Sequence, residues 1–281
     1  SPVVLIVLLA GLQWSPAKSA VWSIAIAFVI CMLHKDTRMK PKQIIETMTE
    51  GAVGALETTV ACAAVGIVVG SITLTGLALK LSSLLITASG GNLVILMVLT
   101  MIACVIMGMG LPTVACYVVL ASMVAPALIK MDVVPIAAHL FIFYFGIISA
   151  ITPPVALASM VGAGIAKADF VKCSLQALKL GLSAFILPFM FVMNPALILQ
   201  GNVLEVLQCI FTATVGILSM SITLEGFFLE KLPVWQRVIF GVAAITLIIP
   251  ETITDIIGLA IFIVAVLLQV ATRKKKKAAL A

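Results

Sequence analysis

The sequence predicts an all-α polytopic membrane protein, built of transmembrane helices with one re-entrant hairpin and one discontinuous helix. Three observations carry this reading. Of 281 residues, 63% are hydrophobic and 10% charged, with a mean hydropathy of +1.30; no soluble core needs so much apolar surface. Two segments, Gly-Met-Gly-Leu-Pro-Thr at Gly108–Thr113 and Ser-Ala-Ile-Thr-Pro-Pro at Ser149–Pro154, each interrupt an apolar run of about thirty residues where a membrane helix would reach mid-bilayer. Finally, Arg273-Lys274-Lys275-Lys276-Lys277 follows directly on an apolar stretch, the pattern of a cytoplasmic stop-anchor that also touches anionic lipid.

The elements follow in order. Val3–Leu12 is too short to span and reads as the tail of a helix that began upstream, so the chain is expected to be the back half of something larger. Ala20–Leu33 is a short span ending at the basic loop His34–Lys42, whose Lys35, Arg38, Lys40 and Lys42 place it in the cytoplasm. Gln43–Gly51 is a short amphipathic surface helix, with Ile44, Ile45 and Met48 on one side. Val53–Leu79 is a long span rich in alanine and glycine, suited to close helix packing, and Lys80–Asn92 is the following outer loop. Leu93–Leu128 is a re-entrant hairpin around the first break, which leaves Lys130 and Asp132 outside. The next element crosses inward, with Lys167 and Lys172 inside. Cys173–Met193, Leu204–Leu224, Val238–Ile249 and Ile253–Ala271 then alternate, and the lysine tail lands in the cytoplasm. Two spans in place of the hairpin keep this parity; a single crossing puts the basic tail outside and is rejected. The expected organisation is residues 1–50 (first spans and surface helix), 51–200 (hairpin and broken helix) and 201–281 (further spans and basic tail).

The breaks carry the chemistry. Gly108 and Gly110 permit backbone conformations other residues avoid, Pro112 frees a carbonyl, and Thr113 adds a hydroxyl. In the second break Ser149 and Thr152 flank Pro153-Pro154, which unwinds a helix into two halves. Half-helix ends expose carbonyls on one side and N–H groups on the other, so the pair suits a cation and an anionic group together. No acidic residue lies between Glu57 and Asp132, nor from Val133 to Ala168. A cation there would meet neutral oxygens, which suits Na⁺ better than a carboxylate proton relay. His139 is read as a hydrogen-bonded structural histidine, with proton carriage as its alternative. No hydrolase, zinc-protease or P-loop pattern is found, so no enzyme, catalytic residue or ATP use is predicted. The six cysteines stand singly in apolar stretches as packing residues, and the +6 charge sits largely in the tail, giving no reason to expect nucleic acid.

Read together, Gly108–Thr113, Tyr117, Ala125–Leu128, Ala138–Tyr144 and Ser149–Ala158 resemble the large membrane subunit of TRAP (tripartite ATP-independent periplasmic) transporters. Thr75-Gly76-Leu77, Pro188–Phe191 and Asn194–Leu197 agree, so the resemblance covers Gly51–Leu199, and the spans from Leu204 to Ala271 are similar to fused permeases of that family. The resemblance implies a multi-pass protein of a bacterial or archaeal inner membrane, half of an inverted-repeat elevator transporter. It implies import of an organic acid from a periplasmic binding protein, with Na⁺ as coupling ion and no other cofactor. The first repeat and small-subunit helices would be partner segments. On this reading Gly108, Gly110, Thr113, Ser149, Thr152 and Pro153 face the cation, with Na⁺ held at Gly108, Thr113, Ser149 and Thr152. Pro112, Thr113, Thr152 and Pro154 face the substrate carboxylate. A non-transporting scaffold and a proton-driven transporter are the alternatives.

Overall fold

A computed structural model describes residues 2–33, 38–249 and 252–280. Its elements are helices; the described residues hold no β-strand beyond one isolated bridge between Phe227 and Lys231. The chain divides into two compact units, Ser1–Val60 and Ala61–Ala281.

In the first unit, α1 (Pro2–Ile6) runs into a π-helical turn (Val7–Gly11) and α2 (Pro16–Leu33) follows. Pro16 opens α2 at the position where a missing N–H costs nothing. Trp14 stacks tilted on Trp22 at 6.4 Å between ring centroids, and Lys18 Nζ lies 4.0 Å from the Trp14 ring centre. Residues 34–37 of the expected basic loop lie outside the described residues. Helix α3 (Pro41–Thr75) is continuous over 35 residues. It therefore joins the expected surface helix Gln43–Gly51 to the following span, and the expected division after residue 50 falls inside one helix. Gly51 and Gly54 each weaken a helix by about 1 kcal/mol against alanine but do not end it, because only a proline removes the ladder bond itself.

In the second unit the chain changes direction at Gly76, whose φ of +66° is open to glycine, and continues as α4 (Leu77–Ala88). This corrects the expected loop at Lys80–Asn92, which shrinks to Ser89–Asn92. The serines that look like loop residues are satisfied within helices: Ser82 Oγ donates to the Met123 carbonyl at 3.0 Å, and Ser83 Oγ to that of Lys80 at 2.9 Å. Asn92 caps the next helix by accepting from Val94 N and Ile95 N.

There follow α5 (Leu93–Gly108), α6 (Thr113–Met123), α7 (Ala125–Ile129), α8 (Pro135–Ile148) with a 3-10 turn (Ser149–Ile151), and α9 (Leu157–Ala166). Asp169 caps α10 (Phe170–Gly181) by accepting from Lys172 N; a 3-10 turn (Leu182–Phe185), α11 (Leu187–Met193) and another (Pro195–Ile198) continue the line. The C-terminal helices are α12 (Val203–Glu225), α13 (Val234–Ile248) and α14 (Thr252–Leu280). Helix α8 is the hub, packed by α5, α6, α7 and α11. Phe141, Phe145, Leu96, Met97, Leu120 and Leu128 are fully buried around it.

Among the described residues, five segments are long and apolar enough to cross a membrane: Pro16–Leu33, Pro41–Thr75, Phe170–Met193, Val203–Glu225 and Ile253–Val270. Helices α5, α6, α8 and α9 are apolar but shorter, below the roughly 20 residues a crossing needs. The chain is thus a multi-pass membrane protein whose two breaks each separate a pair of short helices.

Helices α12 and α13 are tied at one end by Arg237. Its Nε donates to the Thr223 carbonyl at 2.9 Å and its Nη2 to that of Leu224 at 3.2 Å, closing the last turn of α12 with a positive charge. Arg237→Gln should lower unfolding stability by about 1–2 kcal/mol, read as a fall in thermal midpoint, because it strands two carbonyls and removes the cation from the helix end. An unchanged midpoint would show that the cap contributes nothing.

Candidate functional site

At the first break the helical ladder loosens before it stops. Met109 N reaches the Ile106 carbonyl and Leu111 N the Gly108 carbonyl, both at 3.4 Å. Gly110 then takes φ +80°, a conformation that strains any residue with a Cβ. Pro112 precedes α6, whose ladder begins with Cys116 N donating to the Pro112 carbonyl at 2.9 Å. The N–H groups of Thr113, Val114 and Ala115 are therefore free of that ladder.

At the second break α8 tightens into the 3-10 turn, and Thr152 N donates to the Ser149 carbonyl at 3.2 Å. The Pro153–Pro154 peptide is cis. Since neither proline has an N–H, the Ala150 carbonyl is denied a donor from both residue i+3 and residue i+4. Ala156 takes φ +39°, and α9 begins with Met160 N donating to the Ala156 carbonyl at 2.9 Å. Ser149 Oγ donates to the Gly146 carbonyl at 2.6 Å, and Thr152 Oγ1 to the Ile148 carbonyl at 2.9 Å. Each hydroxyl has one proton and has committed it, so both oxygens retain lone pairs as acceptors.

The structure brings the two breaks together. A Cβ on Gly108 would lie 2.7 Å from Ser149 Oγ, 3.1 Å from Ser149 Cβ and 3.0 Å from Cys116 Sγ. One on Gly110 would lie 3.9 Å from Val155 Cγ1. Only the absent side chain at Gly108 lets the end of α5 rest on the end of α8. Of the expected site residues, Gly108 and Ser149 are buried in this contact, Thr152 and Pro153 are half-buried beside it, and Gly110, Pro112, Thr113 and Pro154 are exposed. Pro112 and Thr113 remain on the open start of α6.

Two residues missed in the sequence also shape the site. A Cβ on Gly146 would meet Cys116 Sγ at 2.9 Å, and one on Gly181 would meet Ile151 Cδ1 at 2.8 Å. Gly146 is a lone glycine inside α8, and that costly choice was the available signal of a close neighbour; Gly181 is the last residue of α10, where glycine is ordinary and gives no such signal. His139 Nδ1 is paired with the Tyr117 hydroxyl at 3.1 Å, and Tyr117 stands edge-on to Phe143 at 5.5 Å. Among the described residues no three His, Cys, Asp or Glu side chains converge. What the two breaks offer is hydroxyl and carbonyl oxygen on one side and helix-start N–H groups on the other.

A family model described as the DctM component of the tripartite ATP-independent periplasmic transporter matches residues 2–206. The match takes in both breaks and extends the likeness from Gly51 back to the start of the chain. Residues 207–281 lie beyond it. No curated protein and no solved structure matches the chain.

Proposed function

We propose a transport role for the paired breaks from the premise that this chain belongs to the DctM family, the large membrane component of tripartite ATP-independent periplasmic transporters. That family is a transporter component and not an enzyme family, and its transporters work with a periplasmic binding protein and further subunits. Our reading is that the chain moves an organic acid handed over by such a binding protein, driven by Na⁺ symport and an elevator motion, in the inner membrane with the basic C-terminus inside. The meeting of Gly108 with Ser149 is the observation that supports it.

In this reading α5–α6 is a re-entrant hairpin whose tip closes on the broken helix α8–α9. The weakly held Gly108 carbonyl and those of Gly110 and Ala150, with the hydroxyls of Ser149, Thr152 and Thr113, hold Na⁺. The helix starts behind Pro112 and Pro154, with the hydroxyls of Thr113 and Thr152, face the substrate carboxylate, which the positive ends of α6 and α9 attract. A neutral oxygen cage binds Na⁺ without requiring any side chain to ionise, and the carboxylate completes the charge balance.

The test is uptake in proteoliposomes holding this chain, the remaining permease segments and the binding protein, with and without an inward Na⁺ gradient. Uptake should need both the binding protein and Na⁺. Thr152→Val, which keeps shape and deletes one oxygen, should cut uptake about tenfold or more while the protein stays folded. Unchanged uptake and Na⁺ dependence would remove Thr152 from the site. Uptake driven by a proton gradient alone would transfer coupling to His139. No uptake under any gradient from a folded complex, over a broad carboxylate panel, would make the chain a scaffold.

A further inference from the structure

Helices α10, α12 and α14 border a groove that the transport site does not use. Its volume is about 420 Å³, the size of an ordinary small-molecule cleft. At its mouth Lys179 of α10 and Glu225 of α12 pair at 3.0 Å, each about half exposed. Glu225 is the last residue of α12 and of its apolar span. Further in, the walls turn apolar. Leu218 lines the groove about 10 Å deeper along α12 than Glu225. Phe262 of α14, edge-on to Phe240 at 5.8 Å, adds an aromatic wall.

One polar group on these walls has no partner. Ser183, in the 3-10 turn after α10, is 9% exposed, and its hydroxyl makes no hydrogen bond among the described residues. It lies in the middle of the Phe170–Met193 span. Water is scarce at that depth, so a buried hydroxyl there calls for an acceptor brought by something else. The other serine on the walls, Ser221, already donates to the Ile217 carbonyl at 2.9 Å. Arg237 is committed to the Thr223 and Leu224 carbonyls. The groove therefore offers one ammonium and one carboxylate at its mouth, then a free hydroxyl, then hydrocarbon.

We propose that this groove holds one glycerophospholipid with a zwitterionic head group. Its phosphate meets Lys179, its primary ammonium meets Glu225, and an ester carbonyl accepts from Ser183. An acyl chain then runs along Leu218, Ile222 and Phe262. A mouth of one cation and one carboxylate is complementary to a head of one phosphate and one ammonium. An anionic head would set a second negative charge against Glu225, and a quaternary ammonium has no N–H to donate to it. The half-exposed Lys179–Glu225 pair contributes little by itself, so a head group entering between the two charges gives up little. The inference rests on the membrane character of the chain and not on the transport reading.

The experiment is native mass spectrometry of the purified full chain, delipidated in mild detergent. It is titrated in turn with dioleoyl phosphatidylethanolamine, phosphatidylcholine and phosphatidylglycerol. The expected result is one saturable phosphatidylethanolamine site, with a dissociation constant about tenfold below those of the other two lipids. Glu225→Gln should bring phosphatidylethanolamine to the level of phosphatidylcholine, and Ser183→Ala should weaken both alike. Equal binding of the three lipids, tighter binding of phosphatidylglycerol, or a preference that survives Glu225→Gln overturns the proposal. So does binding that Ser183→Ala leaves untouched. Absence of any saturable site overturns it too and leaves the groove to another helix of the permease. The ranking of the three lipids on the unsubstituted chain needs no variant, so the test stands should Glu225→Gln fail to fold.

Discussion

Gly108→Ala should abolish uptake by the reconstituted transporter and cost about 1–3 kcal/mol of stability, although it adds a single methyl group. The new carbon would stand 2.7 Å from Ser149 Oγ and 3.0 Å from Cys116 Sγ, inside the distance side chains tolerate. Neither neighbour retreats easily. Ser149 is held by its bond to the Gly146 carbonyl, and Cys116 is buried against Gly146 itself. The end of α5 must therefore lift from the end of α8, which separates the oxygens the proposed cation needs together. A compensating change distinguishes the two effects. Gly108→Ala combined with Ser149→Gly removes the closest contact, so stability should partly return, well beyond additivity. Uptake should not return, because the hydroxyl is gone. Recovery of both would mean that Gly108 matters to packing alone. Full uptake by the single variant would separate the breaks from transport altogether.

Phe145→Ala should lower stability by about 3–5 kcal/mol, the largest loss expected for one truncation here. Phe145 is fully buried and meets Phe141 at 4.8 Å, Phe185 at 5.8 Å and Phe189 at 5.9 Å, each ring edge towards face. These contacts fasten α8 to α11 and to the 3-10 turn before it. In a membrane, lipid tails are as apolar as the core, so what the truncation forfeits is dispersion contact and ring geometry. A much smaller fall in the thermal midpoint of the purified protein would indicate that α11 collapses into the space.

How much of this was legible beforehand depended on range. The two breaks could be read directly because proline and glycine act on their own residue and the four before it. The membrane character was legible because it is a property of composition. Helix α4 was not, since Lys80, Ser82 and Ser83 carry loop composition; the Met123 carbonyl that satisfies Ser82 lies 41 residues away. The surface helix Gln43–Gly51 and the span from Val53 were read apart because their composition changes there, yet α3 runs through both. The contact of Gly108 with Ser149 and that of Gln208 with Asp255 join residues far apart in sequence. Local pattern has no access to such pairs: Gly146 looks like a weak point in α8 and Gly181 like an ordinary helix end until the opposing Cys116 and Ile151 are seen.

Cys116 has a consequence of its own. Its thiol, 1% exposed, lies under the tip of the α5–α6 turn, against Gly108 and Gly146. A membrane-permeant alkylating reagent can reach it only while the tip is raised. Once exposed Cys62 and half-buried Cys31 and Cys173 have been replaced, the rate of modification at Cys116 therefore becomes a clock that counts openings. When reagent is scarce the rate follows the fraction of time spent open. When reagent is in excess it approaches the opening rate itself. The α5–α6 turn thus carries its own stopwatch, wound by a native sulfur atom.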